Sequence, residues 1–193
     1  YTKIDPAGNI TVIVDSFVPR EQQSRVAAEL MKRDVTVEQV GFLEKPDDPC
    51  CAVRLQMMGG EFCGNASLSA AAVIFSRAGL AEGLYCEELF EVSGAPEPVK
   101  ISGSMVNRTC FEGEVAMPLP ESISECSFLD GFEGYTFPLV RFPGICHAIV
   151  PVGTIERERA KAVIASWCRQ LGADALGLMF FDRNKHTLTP LVY

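Results

Sequence analysis

The chain has 193 residues, 48% hydrophobic and 22% charged, with 17 basic against 25 acidic side chains and a net charge of −8. Such a composition builds one or two globular domains and excludes an intrinsically disordered chain. With no basic run longer than Lys32-Arg33, it argues against a nucleic-acid partner; no stretch approaches the apolar length of a membrane span, and residues 1–25 lack a signal-peptide pattern, so the chain reads as cytoplasmic.

Asp5-Pro6-Ala7-Gly8-Asn9 reads as a turn that delivers the chain into a buried, β-branched strand at 10–14, with Asn9 at its mouth. Residues 21–33 place Val26, Leu30 and Arg33 at helical spacing, and the β-rich stretch 35–43 follows, which predicts strand, helix, strand. After the turn at Asp47-Asp48-Pro49 a strand is predicted at 52–57. Gly59-Gly60 then break the chain before a run at 65–78, without Pro or Gly, that predicts a helix stopped by Gly79. From 85 to 117, β-like pieces between Gly94, Gly103 and Gly113 predict a meander. Pro118-Leu119-Pro120 marks a boundary between domains at 1–118 and 119–193. Beyond it, strands are predicted at 137–141, 145–152, 175–181 and 187–193, around a helix at 154–171 that aligns Ile155, Val163, Trp167 and Leu171. Tyr1 and Tyr193 are both abrupt ends, so the chain reads as a fragment or a processed product.

Eight cysteines without a secretory signal read as reduced thiols, most of them small buried hydrophobes. With two histidines and no C-x₂-C pair, no metal site is expected. Cys63 differs from the others. In Met58-Gly59-Gly60-Glu61-Phe62-Cys63-Gly64-Asn65-Ala66-Ser67 it immediately precedes a predicted helix, where free N–H groups and the positive end of the helix dipole stabilise a thiolate. The amides of Gly64, Asn65 and Ala66 would cradle a carboxylate as helix N-termini cradle anions. The motif therefore offers a base and an anion site together; the competing reading is that Asn65 caps the helix and Cys63 packs inward.

Glu61-Phe62-Cys63-Gly64-Asn65 resembles the Glu-x-Cys-Gly-Asn segment of the diaminopimelate epimerase family. Pro6-Ala7-Gly8-Asn9 is similar to that family's N-terminal Gly-Asn loop, and Glu38-Gln39-Val40-Gly41-Phe42-Leu43-Glu44 to its substrate-side Gln strand. Together with His147 before a strand ending Pro151-Val152, and with Thr189-Pro190-Leu191-Val192-Tyr193, these segments resemble most closely the histidine racemases of staphylopine-type metallophore biosynthesis.

The resemblance implies an α/β (α+β) fold of two pseudo-symmetric lobes, each a mixed, curved sheet around a central helix, with the active site in the cleft between them and the second lobe incomplete here. It implies a cofactor-free amino-acid racemase or epimerase, in which one thiolate removes the α-proton and a second thiol delivers a proton to the opposite face. Cys63 matches the first thiol. The second belongs to a Cys-Gly-Ser-Gly-type motif that no cysteine here matches, so it is expected beyond residue 193 and the chain by itself is expected to be inactive. Asn9, Glu38, Gln39, Gly64, Asn65 and His147 match substrate-contact positions. Glu38 also reads as an exposed strand carboxylate, and His147 as a core histidine.

Where the diaminopimelate enzymes have Asn before Pro-His, this chain has Ile145-Cys146-His147, which favours histidine, or another amino acid without a second carboxylate, over diaminopimelate as substrate. The expected partner is thus a small amino acid, with a homodimer left open. Three competing readings remain at this point: a thiol hydrolase pairing Cys63 with His147, a non-thiol isomerase of the phenazine-biosynthesis type, and an amino-acid-binding module.

Overall fold

A computed structural model describes residues 1–128 and 134–193. It is a mixed α+β structure in two compact units, Tyr1–Pro118 and Leu119–Tyr193.

The N-terminal unit is one seven-stranded sheet in the order β1 (Thr2–Ile4), β2 (Thr11–Val14), β3 (Gln39–Glu44), β4 (Val53–Met57), β5 (Cys86–Val92), β6 (Val99–Asn107) and β7 (Cys110–Val115). Helix α1 (Arg20–Arg33) connects the parallel strands β2 and β3. All four residues of β2 are buried, because the strand is covered on both faces. Val12 and Val14 pack with Val40, Phe42 and Ala27 of α1, while Ile13 turns the other way, into the cluster built on α2 (Gly64–Arg77). Helix α2 packs against β2, β3 and β4 and also against β6 and β7, so the sheet curls around it. Its sequence suits that place: Ala66, Ala70, Ala71, Val73 and Phe75 are all buried, small near the helix start and larger toward its end.

Several local readings shift in the structure. The strand expected from 35 starts only at Gln39, because Asp34 turns the chain: its carboxylate accepts from the Thr36 amide at 3.0 Å and from Thr36 Oγ1 at 2.6 Å. With Lys3 also donating to it, the Asp34 carboxyl is held down at about 2. In α1 the residues most deeply buried are Gln23 and Ala27. Gln23 Nε2 donates to Glu44 at 2.7 Å, beside the Arg20–Glu44 ion pair, and the two contacts fasten α1 to β3.

The C-terminal unit is a five-stranded sheet in the order β12 (Thr187–Val192), β11 (Leu176–Asp182), β10 (Ile145–Pro151), β9 (Thr136–Phe142) and β8 (Ser122–Ser127). Helix α3 (Arg157–Gln170) connects the parallel strands β10 and β11. Its core centres on Trp167, fully buried and stacked on Phe128 with ring centroids 4.3 Å apart. Among the described residues no helix is long and apolar enough to cross a membrane.

The two units repeat one motif, a parallel strand-helix-strand followed by an antiparallel strand. In the first, Ile13 pairs with Gly41, and Gly41 with Met57. In the second, His147 pairs with Gly177, and Gly177 with Val192. Register therefore sets His147 at the position of Ile13. A Cβ on Gly177 would lie 2.8 Å from the His147 ring, so the glycine makes room for the imidazole.

Candidate active site

Helix α2 begins at Gly64, and its N-cap is Cys63, in extended conformation with φ −138° and ψ 112°. The half-buried Cys63 Sγ accepts from the Ala66 amide at 3.4 Å, and the Cys63 carbonyl accepts from the Ser67 amide at 2.9 Å and from Ser67 Oγ at 2.8 Å. A thiol sulfur is a weak acceptor where Ser, Asp or Asn usually stands. As a thiolate it is a far better partner for that amide and for the dipole behind it. The amides of Gly64 and Asn65 keep no protein acceptor among the described residues, which leaves two N–H groups for an anion.

The loop that delivers Cys63 is braced from below. Gly60, at φ +80°, closes a turn with its amide on the Met57 carbonyl at 3.0 Å. Buried Ser93 accepts from the Met57 amide at 2.9 Å and donates to the Glu61 carbonyl at 2.8 Å, so one hydroxyl ties the end of β4 to the loop. Gly94, at φ +74°, lies so close that a Cβ there would be 2.3 Å from the Phe62 nitrogen.

Gln39 reaches the thiol from β3. Its Oε1 accepts from Cys63 Sγ at 3.2 Å, and its Nε2 donates to Thr11 Oγ1 at 2.7 Å. Thr11, fully buried and paired directly with Gln39 across the parallel strands, donates in turn to the Asn9 carbonyl at 2.9 Å. One hydrogen-bonded line thus runs from Asn9 through Thr11 and Gln39 to Cys63 and the start of α2. Two groups meet on the sulfur, the Ala66 amide as a donor and the Gln39 carbonyl oxygen as an acceptor.

The other expected residues are placed as follows. Glu38 is exposed, its amide on the Ile10 carbonyl at 2.9 Å, and no hydrogen bond or ion pair among the described residues joins it to Gln39 or Cys63. Gly64 packs against Met117, whose Sδ would lie 3.2 Å from a Cβ at that position. Asn65 helps line a cleft of about 730 Å³ along α2, bordered by β1 and the β6–β7 hairpin, to which neither Cys63 nor Gln39 contributes. His147 belongs to the C-terminal unit, half-buried on β10 with its ring 5.6 Å from that of Phe142; burial pushes its pKa down.

The thiols of that unit contrast with Cys63. Burial pushes Cys126 up to about 11, and it raises Cys146 and Cys168 as well, although Arg141 donates to Cys146 Sγ at 3.3 Å. Thr11, Ser93 and Gly94 join the site without being expected there. Thr11 carries one sequence signal, a hydroxyl inside the otherwise apolar Ile10–Val14 run, and Gly94 carries only that of a break between β-like pieces.

Comparison with known proteins bears on this arrangement. The sequence family described as the histidine racemase CntK N-terminal domain matches residues 1–193. The chain belongs to that family. A histidine racemase of Fusobacterium nucleatum subsp. nucleatum, strain ATCC 23726, is 32% identical to it over 203 residues, which span 100% of this chain and 71% of the relative. One from Staphylococcus aureus, strain Mu50, is 27% identical, over 100% of this chain and 70% of the relative. The fold is similar to that of a hydroxyproline epimerase from Agrobacterium vitis, with a TM-score of 0.68 at 12% identity over 97% of this chain and 68% of the other. The histidine racemase family and relatives make this chain an amino-acid racemase, an isomerase acting on a small-molecule amino acid.

Proposed function

We propose that the protein racemises histidine without cofactor, by a two-thiol proton transfer in which Cys63 is one of the two groups. The observation that supports this most directly is Cys63 itself: a half-buried thiol at the N-cap of α2, with the Ala66 amide on its sulfur and two free amides beside it. In one direction the Cys63 thiolate takes the α-proton of the substrate, becoming a thiol, while the electron pair left on Cα spreads into the carboxylate. The Gly64 and Asn65 amides and the α2 dipole stabilise that developing charge, and a closed, dry site strengthens them. An acid on the opposite face completes inversion by delivering a proton to Cα. In the reverse direction Cys63 is the acid.

The second thiol is a separate group that this reading requires on the opposite face of Cα. The described cysteines of the C-terminal unit fit it poorly, since Cys126, Cys146 and Cys168 are buried with raised pKa values. Histidine as substrate rests on the relatives' names and on the side chains at hand. The Gln39 amide can both donate and accept, as recognition of an ammonium or a neutral imidazole requires. Asn9, Glu38 and Asn65 complete the proposed substrate contacts of the N-terminal unit.

The test is to incubate the complete protein with L-histidine in D₂O and follow the α-proton by NMR. Loss of the signal with appearance of the D-enantiomer is expected; absence of exchange with histidine and with a panel of other L-amino acids overturns the reading.

A further inference from the structure

The hydrogen-bond polarity of the Asn9-Thr11-Gln39-Cys63 line is fixed at one end only. The Asn9 carbonyl can only accept, so the single hydroxyl proton of Thr11 is committed to it. Thr11 Oγ1 accordingly accepts from its other neighbour, which sets the Gln39 NH₂ toward Thr11 and the Gln39 carbonyl oxygen toward Cys63. Turning the amide over would either set Oε1 against Oγ1 with no proton between them or draw the Thr11 proton onto Oε1 and strip the Asn9 carbonyl of its donor, and Thr11 itself is fully buried.

We infer that Thr11 is a positioning residue that selects the orientation of the Gln39 amide and so sets which of its atoms, the carbonyl oxygen or Nε2–H, faces the Cys63 sulfur. Thr11 touches neither the sulfur nor the proposed substrate; it acts through Gln39. The consequence is that Gln39 presents an acceptor to the sulfur while the Ala66 amide presents a donor to it. Without Thr11 the amide is free to turn and present Nε2–H to the sulfur, which stabilises the thiolate. The meaning of this for catalysis rests on the reading of Cys63 as a proton-transfer thiol, but the charge state of the sulfur is measurable without any turnover.

The experiment is alkylation by iodoacetamide across a pH series in the full chain, with the extent at Cys63 resolved by peptide mass spectrometry. In Thr11→Val, which keeps shape and loses the hydroxyl, Cys63 reacts about threefold faster at pH 7 and its alkylation curve moves to lower pH, the gain in thiolate being partly offset by lower intrinsic nucleophilicity. Thr11→Ser, which retains the hydroxyl, follows the wild-type curve. Cys51, buried in the same unit, stays unreactive and so reports that the unit is intact. Gln39→Met removes the acceptor oxygen while Thr11 stays in place, though it also removes the Nε2 bond to Thr11, and it accelerates alkylation, less than Thr11→Val does because no N–H replaces the oxygen. The inference is overturned if Thr11→Val leaves the curve in place, or if Thr11→Ser moves it as Thr11→Val does. Should Thr11→Val expose Cys51, the Gln39→Met curve decides, and coincidence with wild type overturns the inference. Because alkylation reads the thiol and D₂O exchange reads turnover, failure here is distinct from failure of the racemase reading.

Discussion

The two units use one motif for different ends. In the N-terminal unit the row Ile13, Gly41, Met57 is buried under α2, and the chain leaving Met57 runs through a braced loop into the N-terminus that holds Cys63. In the C-terminal unit the corresponding row is His147, Gly177, Val192, with a half-buried imidazole where the first has a fully buried isoleucine. The thiols divide in the same way. Cys63 sits at a helix start with an amide on its sulfur, whereas Cys146 and Cys168 lie in a strand and late in a helix, where burial disfavours their ionised forms. A shared backbone plan does not set chemistry; the place of a side chain relative to a helix terminus and to solvent does.

The largest effect that would break this contrast is on turnover. Cys63→Ser in the complete protein is expected to lower racemisation by roughly 10²- to 10⁴-fold, the scale of a positioned acid or base, while Cys168→Ala changes it by less than about threefold. Comparable losses from both would erase the distinction between the thiols.

The next effect concerns packing. Trp167→Ala is expected to cost the C-terminal unit about 3–5 kcal/mol and to open Cys146 and Cys168 to a thiol reagent before Cys51 of the other unit reacts. Simultaneous labelling of all three would show that the units unfold together. Gly94→Ala acts on the N-terminal unit instead, pressing a methyl onto the Phe62 backbone from a left-handed position. It is expected to cost roughly 2–4 kcal/mol in a denaturant melt and to reduce racemisation as well, since the displaced loop carries Cys63. A stable Gly94→Ala protein with full activity would mean that the brace does not position the thiol.

The smallest effect separates the units by pH. His147 has its pKa lowered by burial, so the folded state binds its proton less readily than the unfolded chain. The stability this contributes is complete above the unfolded value of about 6.5 and drains as pH falls through the lowered folded value. For Glu44, burial pushes the carboxyl up, but hydrogen bonds from Arg20 and Gln23 outweigh it and hold it low. Its contribution is present above the ordinary carboxylate range and is lost below it. Thermal melts against pH should therefore show the slope near pH 6 flattened by His147→Leu, and the more acidic slope flattened by Glu44→Gln. A single variant that flattens both would contradict the assignment.

Much of this was legible in the sequence because it is local. The cysteine before a helix, the Gly59-Gly60 break and the apolar β2 are patterns of neighbouring residues, and the chain organises them as read; α3 forms too, but from Arg157, with Ala160, Ile164, Trp167 and Cys168 as its buried face. Other readings failed where a longer-range partner intervened. The strand expected from 35 was shortened by Asp34, whose side chain turns the backbone and pairs with Lys3 of β1, and β1 itself, three residues long, has no pattern of its own. Gln39 and Asn9 stood out only through resemblance, since an amide in a strand and an amide in a turn carry no intrinsic chemical signal.

What the sequence determined alone was which side chains were available and which backbone would present them: a thiol at a helix start, a β-branched strand beside it, a glycine-marked loop between, and motifs in an order that resembles one racemase family. The tertiary structure decided what the thiol meets. Thr11 faces Gln39, Ser93 reaches the Glu61 carbonyl and Gly94 lies against Phe62 only because β2, β3, β4 and β5 pair in one register around α2. Hydrogen-bond polarity is a property of such pairings, fixed by distances between residues far apart in the chain, and local sequence does not encode it.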